Sequence, residues 1–426
     1  MDKYIITGGM SLAGEVVPAG NKNAALPLLA ATLLSDEPVI LRNVPQISDV
    51  LDMRHLIESL GVSVETLDAN TWKVTARNVR PADLDPDLCR RIRASILLAG
   101  PMTARSGQFR LPPPGGDVIG RRRVDTHILA LKALGAKVEY ARMFEFSAKR
   151  LKGAEVLLDE ASVTGTENAI MAAVTANGST ILRNTASEPH VQELCRMLNT
   201  LGANISGIGS NTLTIEGVDR LHGGEFTIGP DYLEVVSFIG AAVVTRGEVR
   251  IKNAAPQYLD MARIVFRRLG VEWQVDGGDV IVPARQRLKV EPDLGNAIPE
   301  IKTNIWPAFP TDLMSIAIAV ATQARGSVLF HDWMYPSRMY FTDKLINMGA
   351  QIVLCDPHRC IVTGPTKLLG EKVESPDIRA GMALLLAALA AEGESTIRNI
   401  RQIERGYQDV DKKLRSLGAQ IERVRE

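Results

Sequence analysis

The chain holds only four cysteines, Cys89, Cys195, Cys355 and Cys360, in 426 residues. Their spacing fits neither a C-x-x-C motif nor a metal-ligand pattern, which suits a reducing compartment and leaves them as core or surface thiols. Net charge is missing too. With 49 basic residues against 49 acidic ones, the chain as a whole lacks the electrostatic footprint of a nucleic-acid or membrane-surface protein, so any charged function must be local. The longest apolar run, Met382 to Ala391, is ten residues, too short to span a bilayer, and the opening MDKYIITGG has no apolar signal core. A soluble cytoplasmic protein is expected, with no nucleic-acid or membrane partner. Its length exceeds what one hydrophobic core usually serves, so two domains are expected.

What the chain does have is an internal repeat. A Leu-Gly or Met-Gly followed by alternating apolar residues recurs as LGVSV at Leu60, LGAKV at Leu134, LGANI at Leu201, LGVEW at Leu269, MGAQI at Met348 and LGAQI at Leu417. Most copies follow a strand-like segment ending in a polar residue: VILRN to Asn43, TILRN to Asn184, VRIKN to Asn253, VLFHD to Asp332 and TIRN to Asn399. From that residue to the glycine motif the chain takes 16 to 18 residues. Each unit reads as strand, polar turn, amphipathic helix, a glycine where a left-handed backbone costs least, and a second strand. Six units make two domains of three.

The second unit is irregular. Its strand GQFRL ends at Leu111 and its glycine motif starts 23 residues later, at Leu134. The insertion includes LPPPGGDVIGRRR, and a loop added to a regular repeat is where function tends to be placed. Between Cys89 and Arg123 there are eight arginines and one acid, Asp117. Arginine rather than lysine points to phosphate or carboxylate, because its planar fork binds them through paired hydrogen bonds. A solvated helix face is the alternative for this run. A second anion site is expected in PAGNKNAALPLLAATLLS, where Lys22 and unpaired backbone N–H groups would converge at a helix start. Simple capping by an asparagine is the alternative there.

Together the six repeats, GNKNAALPLL, the Pro/Gly loop and the C-terminal IERGYQDVDKKLRSLGAQIERV resemble the enolpyruvyl transferases, from Met1 to Arg425. The shikimate branch of that family typically has Lys-Ser where this chain has Lys22-Asn23, which favours the UDP-sugar branch. The resemblance implies an α/β fold of two inside-out α/β barrel domains, each of three βαβαββ units. One would span residues 21–230 and carry the catalytic loop 112–121, and the other residues 1–20 plus 231–426. It implies addition of a sugar hydroxyl to phosphoenolpyruvate followed by loss of phosphate. No metal and no cofactor is implied. The partners are phosphoenolpyruvate and a UDP-sugar, with no protein partner required.

Carried over position by position, the resemblance assigns catalytic roles to Lys22, Asp117, Asp312 and Arg405. Phosphoenolpyruvate would be bound by Lys22, Arg93, Arg122, Arg338, Arg379 and Arg405, a set suited to a substrate with a carboxylate and a phosphate. Asp312, in WPAFPTDLM, is the expected base, and it could equally cap the helix that follows. The UDP-sugar would lie against Asn23, Arg93, Arg122, Val124, Asp125, Ser162, Val163 and Asp312. Asp117 stands where many family members carry a cysteine that is a proposed acid and the group alkylated by fosfomycin.

Two departures fall at the nucleotide end. Arg-Pro-Val-Asp becomes Arg122-Arg123-Val124-Asp125, and Ser-Val-Gly-Ala-Thr becomes SVTGT with Thr164 before Gly165. They leave open a family member acting on another nucleotide or sugar. A non-catalytic binding protein on the same fold is disfavoured, because none of the anion-binding or acid positions is lost.

Overall fold

In the computed structural model, which describes residues 2–116 and 123–425, all six repeat glycines have a positive φ, from 81° at Gly270 to 101° at Gly349. Each ends a helix: Ser48–Ser59, Asp125–Ala133, Pro189–Thr200, Asp260–Arg267, Thr342–Asn347 and Val410–Ser416. Four of the polar residues that close the preceding strands are also left-handed, Asn43, Asn184, Asn253 and Asn399, with φ between 50° and 60°. Asparagine tolerates that region better than other residues with a Cβ. The repeat is therefore defined by two left-handed residues that reverse the chain at either end of the amphipathic helix.

Around each such helix a sheet forms in one order. In the third repeat Glu155–Leu157 runs parallel to Ser179–Arg183, which pairs antiparallel with Thr212–Glu216, itself antiparallel to Asn204–Ser206. The first, fourth and fifth repeats share this order, while the second has three strands, Gln108–Leu111, Phe144–Ser147 and Lys137–Tyr140. The sixth is completed from the other end of the chain. Lys3–Thr7 lies between Glu394–Arg398 and Gln420–Val424, with Ile5 opposite both Thr396 and Glu422. Period-2 alternation in this strand buries Tyr4 and Ile6 completely.

A second helix of each repeat lies inside. All residues of Tyr232–Val244 and Met314–Ala321 are buried, as is nearly all of Ile378–Ala390, and these three helices pack on one another. Lys22–Ala31, Ala99–Ser106 and Val163–Ala173 form the corresponding interior of the other half. Helices apolar on every side can only be core, so the sheets lie outside and the fold is an inside-out α/β architecture. The chain divides into two compact units, one built from residues 2–19 and 230–425 and the other from residues 20–116 and 123–229. Asn21 N–H donates to the Gly229 carbonyl within one unit, and Asp231 N–H to the Ala19 carbonyl within the other, both at 2.8 Å. No helix of the described residues is long and apolar enough to cross a membrane.

The glycine requirement differs between repeats. A Cβ at Gly61 would lie 2.6 Å from the Asn78 carbonyl oxygen, whereas one at Gly135 would meet nothing within 4 Å. Gly135→Ala should cost about 1 kcal/mol from backbone strain alone, and Gly61→Ala at least about 1 kcal/mol more because a backbone carbonyl must move. Urea denaturation midpoints should rank wild type, Gly135→Ala, Gly61→Ala; equal midpoints for the two variants would contradict this.

Candidate active site

The interior helices are mostly apolar along their lengths, and the candidate functional groups gather at their N-terminal ends. In the unit of residues 20–229, Lys22 opens the helix Lys22–Ala31 and is buried. Its Nζ donates to Asp49 Oδ2 at 3.2 Å, and that carboxylate is buried as well. The expectation of unpaired backbone N–H groups here is corrected: Asn21 Oδ1 accepts from the N–H of both Asn23 and Ala24, so the cap satisfies them. Asn23 is half-buried beside it.

The same unit brings the expected nucleotide-side residues together. Arg93 Nη2 donates to the Arg123 carbonyl at 2.7 Å. The Arg123 guanidinium, where the family pattern has proline, is held by Asp125 and Asp159, each at 3.1 Å. Asp159 also accepts from Thr126 Oγ1 at 2.7 Å. Asp159 thereby ties the start of Asp125–Ala133, with Val124 and Asp125, to the segment leading into Val163–Ala173. Ser162 caps that helix by accepting from Gly165 N–H at 3.2 Å, and Val163 is its first residue. Val124 and Val163 both pack on the core. Beneath them His127 is fully buried; desolvation, with a lesser contribution from Arg93, pushes its pKa down to about 3.

In the unit of residues 2–19 and 230–425, Asp312 is the hub. Its Oδ1 accepts from Arg338 Nη1 at 2.9 Å, and its Oδ2 from Arg379 Nε at 3.3 Å and Nη2 at 3.2 Å. Asp312 does not cap the following helix. It sits in the turn Thr311–Leu313 ahead of Met314–Ala321, and no side chain caps either element. The Asp312 side chain is 27 % exposed, whereas those of Arg338 and Arg379 are 7 % and 5 % exposed. Arg338 is further held by the Thr311 carbonyl at 3.0 Å and lies 5.0 Å over the Tyr335 ring. Arg379 lies 5.6 Å over the Tyr407 ring and donates to its hydroxyl at 3.2 Å, which meets Ser237 Oγ at 3.0 Å.

Burial acts to lower the pKa of both guanidinium groups. It is outweighed by Asp312 in each case, helped by Asp332 and Asp377 at Arg338 and by Tyr407 and Asp231 at Arg379, so both are held above their usual range. Among the described residues, Arg338 Nε is buried without a hydrogen-bond partner. A charged N–H in that state is unusual and fits a site that receives an anion. Arg405 is half-buried, with Nη1 donating to Gln402 Oε1 at 3.0 Å.

Asp117 and Arg122 lie outside the described residues. Of the residues that sequence reasoning missed, Asp49 holds Lys22, Asp159 holds Arg123, and Tyr335 and Tyr407 hold the two buried arginines. Tyr407 was two positions from Arg405 in the quoted motif and Tyr335 three from Arg338, but no local pattern identifies either as a partner. His127 and Asn168 likewise carry no local signal.

A sequence profile described as EPSP synthase (3-phosphoshikimate 1-carboxyvinyltransferase) matches residues 6–414. A UDP-N-acetylglucosamine 1-carboxyvinyltransferase of Bradyrhizobium diazoefficiens is 56% identical over 424 residues, covering 100% of this chain and 98% of the relative. One of Treponema denticola is 54% identical over 422 residues, 99% of each chain. Among solved structures, the enolpyruvyl transferase NikO from Streptomyces tendae superposes with a TM-score of 0.88 at 25% identity over 99% of both chains. EPSP synthase from Acinetobacter baumannii superposes at 0.76 and 17% identity over 100% of both, a likeness of fold.

Neutral burial of His127 gives stability a pH dependence of defined sign. The folded protein binds this proton only near pH 3, the unfolded chain already near 6.5, so stability present above about pH 6.5 is lost as pH falls. The unfolding free energy of wild type minus that of His127→Gln should fall by about 1.4 kcal/mol per pH unit below that point. Denaturant titrations at pH 7, 6 and 5 measure it, and a constant difference would show that His127 takes up its proton in the folded state.

Proposed function

The chain belongs to the EPSP synthase family of enolpyruvyl transferases, and from that premise we propose that it transfers the enolpyruvyl group of phosphoenolpyruvate to the 3-hydroxyl of UDP-N-acetylglucosamine, the first committed step of peptidoglycan precursor synthesis. The observation that carries the reading is the convergence of two buried arginines on Asp312. One carboxylate does not neutralise two guanidinium groups, and Arg338 Nε is buried without a partner among the described residues. A dianionic substrate supplies the missing acceptors, in a setting where charge pairs are strong.

The same contact assigns the base. In the free enzyme both carboxylate oxygens of Asp312 accept from arginine N–H groups. The carboxylate and phosphate of phosphoenolpyruvate give those N–H groups other acceptors and release a carboxylate oxygen for the proton of the attacking hydroxyl. That hydroxyl oxygen bonds to C2 of phosphoenolpyruvate while C3 takes a proton from Asp117. The tetrahedral adduct then loses phosphate from C2 and returns a proton from C3 to the Asp117 carboxylate, restoring the double bond. Lys22 and Arg405 stabilise charge on the departing phosphate. Asn23, Arg93, Arg122, Val124, Asp125, Ser162 and Val163 hold the UDP-sugar.

Asp117 as acid is the unusual element. A carboxyl with a reference pKa of about 3.9 is only about 0.1% protonated near pH 7, so the substrate complex must raise that pKa. A second acceptor is favoured by one observation, the Arg123 guanidinium locked to Asp125 and Asp159 at the nucleotide end. The two readings separate by product: mass spectrometry of the enzyme with phosphoenolpyruvate and UDP-N-acetylglucosamine should show the enolpyruvyl adduct, and its absence alongside product from another nucleotide sugar would decide for the second.

Two variants test the roles. Asp312→Asn should lose most turnover while keeping its fold by circular dichroism, because a carboxamide cannot take the proton; near-normal turnover would exclude Asp312 as base. A carboxylate is far less nucleophilic than a thiolate toward an epoxide, so wild type should resist fosfomycin, and Asp117→Cys should remain active and become inactivated with time. Time-dependent inactivation of wild type would remove the basis of this assignment.

A further inference from the structure

The fifth repeat departs from the others at the polar residue that closes the strand ahead of its amphipathic helix. In three repeats that residue is an asparagine whose Nδ2 donates to the carbonyl just past the end of the neighbouring parallel strand. Asn43 donates to Ile228 at 2.9 Å, Asn184 to Leu158 at 3.0 Å and Asn399 to Ser375 at 2.9 Å. The equivalent carbonyl in the fifth repeat is that of Thr303, which follows Glu300–Lys302. Thr303 N–H donates to the His331 carbonyl just as Ile228, Leu158 and Ser375 donate to Arg42, Arg183 and Arg398. The residue in the asparagine's place is Asp332, a carboxylate with nothing to donate, and it does not share the left-handed φ of those asparagines. The Thr303 carbonyl is served instead by Trp333 Nε1, at 2.9 Å.

With that carbonyl satisfied, the acid points elsewhere. Asp332 is fully buried. Its Oδ1 accepts from Thr303 Oγ1 and from Met334 N–H, each at 3.1 Å, and its Oδ2 accepts from Thr311 Oγ1. None of these donors is a cation. A buried carboxylate held by neutral donors is costly, and three repeats close the same place without one, so the fold itself does not require it here. What it grips is the first residue of Thr311–Leu313, the turn that carries Asp312. The Thr311 carbonyl is held in addition by Arg338 Nη1 at 3.0 Å, and the charge of Asp332 helps keep that buried guanidinium charged. The residue next to Asp312 is thus fixed at its side chain by a buried acid and at its backbone by an arginine that also binds Asp312.

We propose that Asp332 is a positioning residue for the base Asp312, acting through the Thr311 hydroxyl to hold the turn Thr311–Leu313 in place. The proposal rests on the reading of Asp312 as base given above. In that reading Asp312 changes partners, because its bonds to Arg338 and Arg379 yield as the anionic groups of the substrate arrive. A base whose side-chain contacts are exchanged needs a backbone anchor that is not, since a misplacement of about 1 Å can lower the rate about a hundredfold. Asp332 meets that need. Its own bonds are to Thr303, Thr311 and Met334, none of them assigned to substrate, so they persist through the exchange.

The test compares wild type, Asp332→Asn, Thr311→Val, Thr311→Ser and the Asp332→Asn/Thr311→Val double variant. Steady-state kinetics with phosphoenolpyruvate and UDP-N-acetylglucosamine are run beside thermal melts. Asparagine suits this place in three other repeats, so Asp332→Asn should fold; valine keeps the shape of Thr311 without its hydroxyl, and serine keeps the hydroxyl. Asp332→Asn and Thr311→Val should each lower kcat about tenfold and leave both KM values within about threefold of wild type. The double variant should lose no more than the worse single one, because both break the same link. Thr311→Ser should stay within about twofold of wild type. Near-normal kcat in Asp332→Asn overturns the proposal, and so do additive losses in the double variant. A decline of kcat in step with both KM values and melting temperature would mark a purely structural role and overturns it too. Failure of the underlying reading shows separately, as near-normal turnover of Asp312→Asn in the same assay, which removes the base and the proposal with it. A wild type idle with UDP-N-acetylglucosamine would sink the acceptor alone, and the same variants then decide the role of Asp332 on the nucleotide sugar that gives product.

Discussion

A helix buried on every side can offer chemistry only at its ends, and that constraint organises this protein. The inner helices are buried over most of their lengths, so a polar residue on a flank must find its partners within the core, as Asn168 and Ser237 do. Their N-terminal ends carry the positive end of the backbone dipole and backbone N–H groups that need acceptors. The candidate residues gather there. Lys22 opens one inner helix, Val163 is the first residue of another, Asp312 sits in the turn before a third, and Arg379 is the second residue of a fourth. Asn21, Ser162, Asp231 and Asp377 cap four of these helices with side-chain oxygens. An architecture that turns its helices inward thus prepares sites for anions.

Charge at these ends is balanced locally rather than over the molecule. Lys22 is matched by Asp49, and Arg338 and Arg379 share Asp312 with help from more distant carboxylates. Buried ion pairs are weak contributors to stability, because desolvation offsets most of the attraction. Arg338 and Arg379 are instead already desolvated, oriented by aromatic faces and held charged. A chain of zero net charge can therefore concentrate buried cations at a few helix ends.

The nucleotide-side cluster is built differently. Its upper layer is exposed and ionic, with Arg123 between Asp125 and Asp159, and exposed pairs of this kind are worth little singly. Its lower layer is buried and neutral, running from Asn168 through His127 to Thr164. Asn168 and His127 are fully buried with every side-chain polar atom bonded, which holds them rigid. The positions where this chain departs from the family pattern, Arg123 and Thr164, each sit at the top of one of these layers.

The repeat was legible in the sequence because everything that defines it is local. A left-handed asparagine, an amphipathic helix and a left-handed glycine are all written within 16 to 18 residues, and a backbone that must adopt positive φ selects its residue types wherever it occurs. The resemblance supplied the arginines and Asp312 by position. What those side chains touch was not legible. Lys22 meets Asp49, Arg379 meets Asp312 from 67 positions away, Thr164 meets His127 from 37, and the first strand completes the last repeat. Hydrogen-bond direction depends on atoms brought within about 3 Å, and no periodicity encodes which distant residue arrives. The sequence alone determined the fold and the kinds of group present; tertiary structure alone decided that Asp312 is an ion-pair hub rather than a helix cap, that Asn21 consumes the N–H groups beside Lys22, and that Asp332 accepts from Thr311.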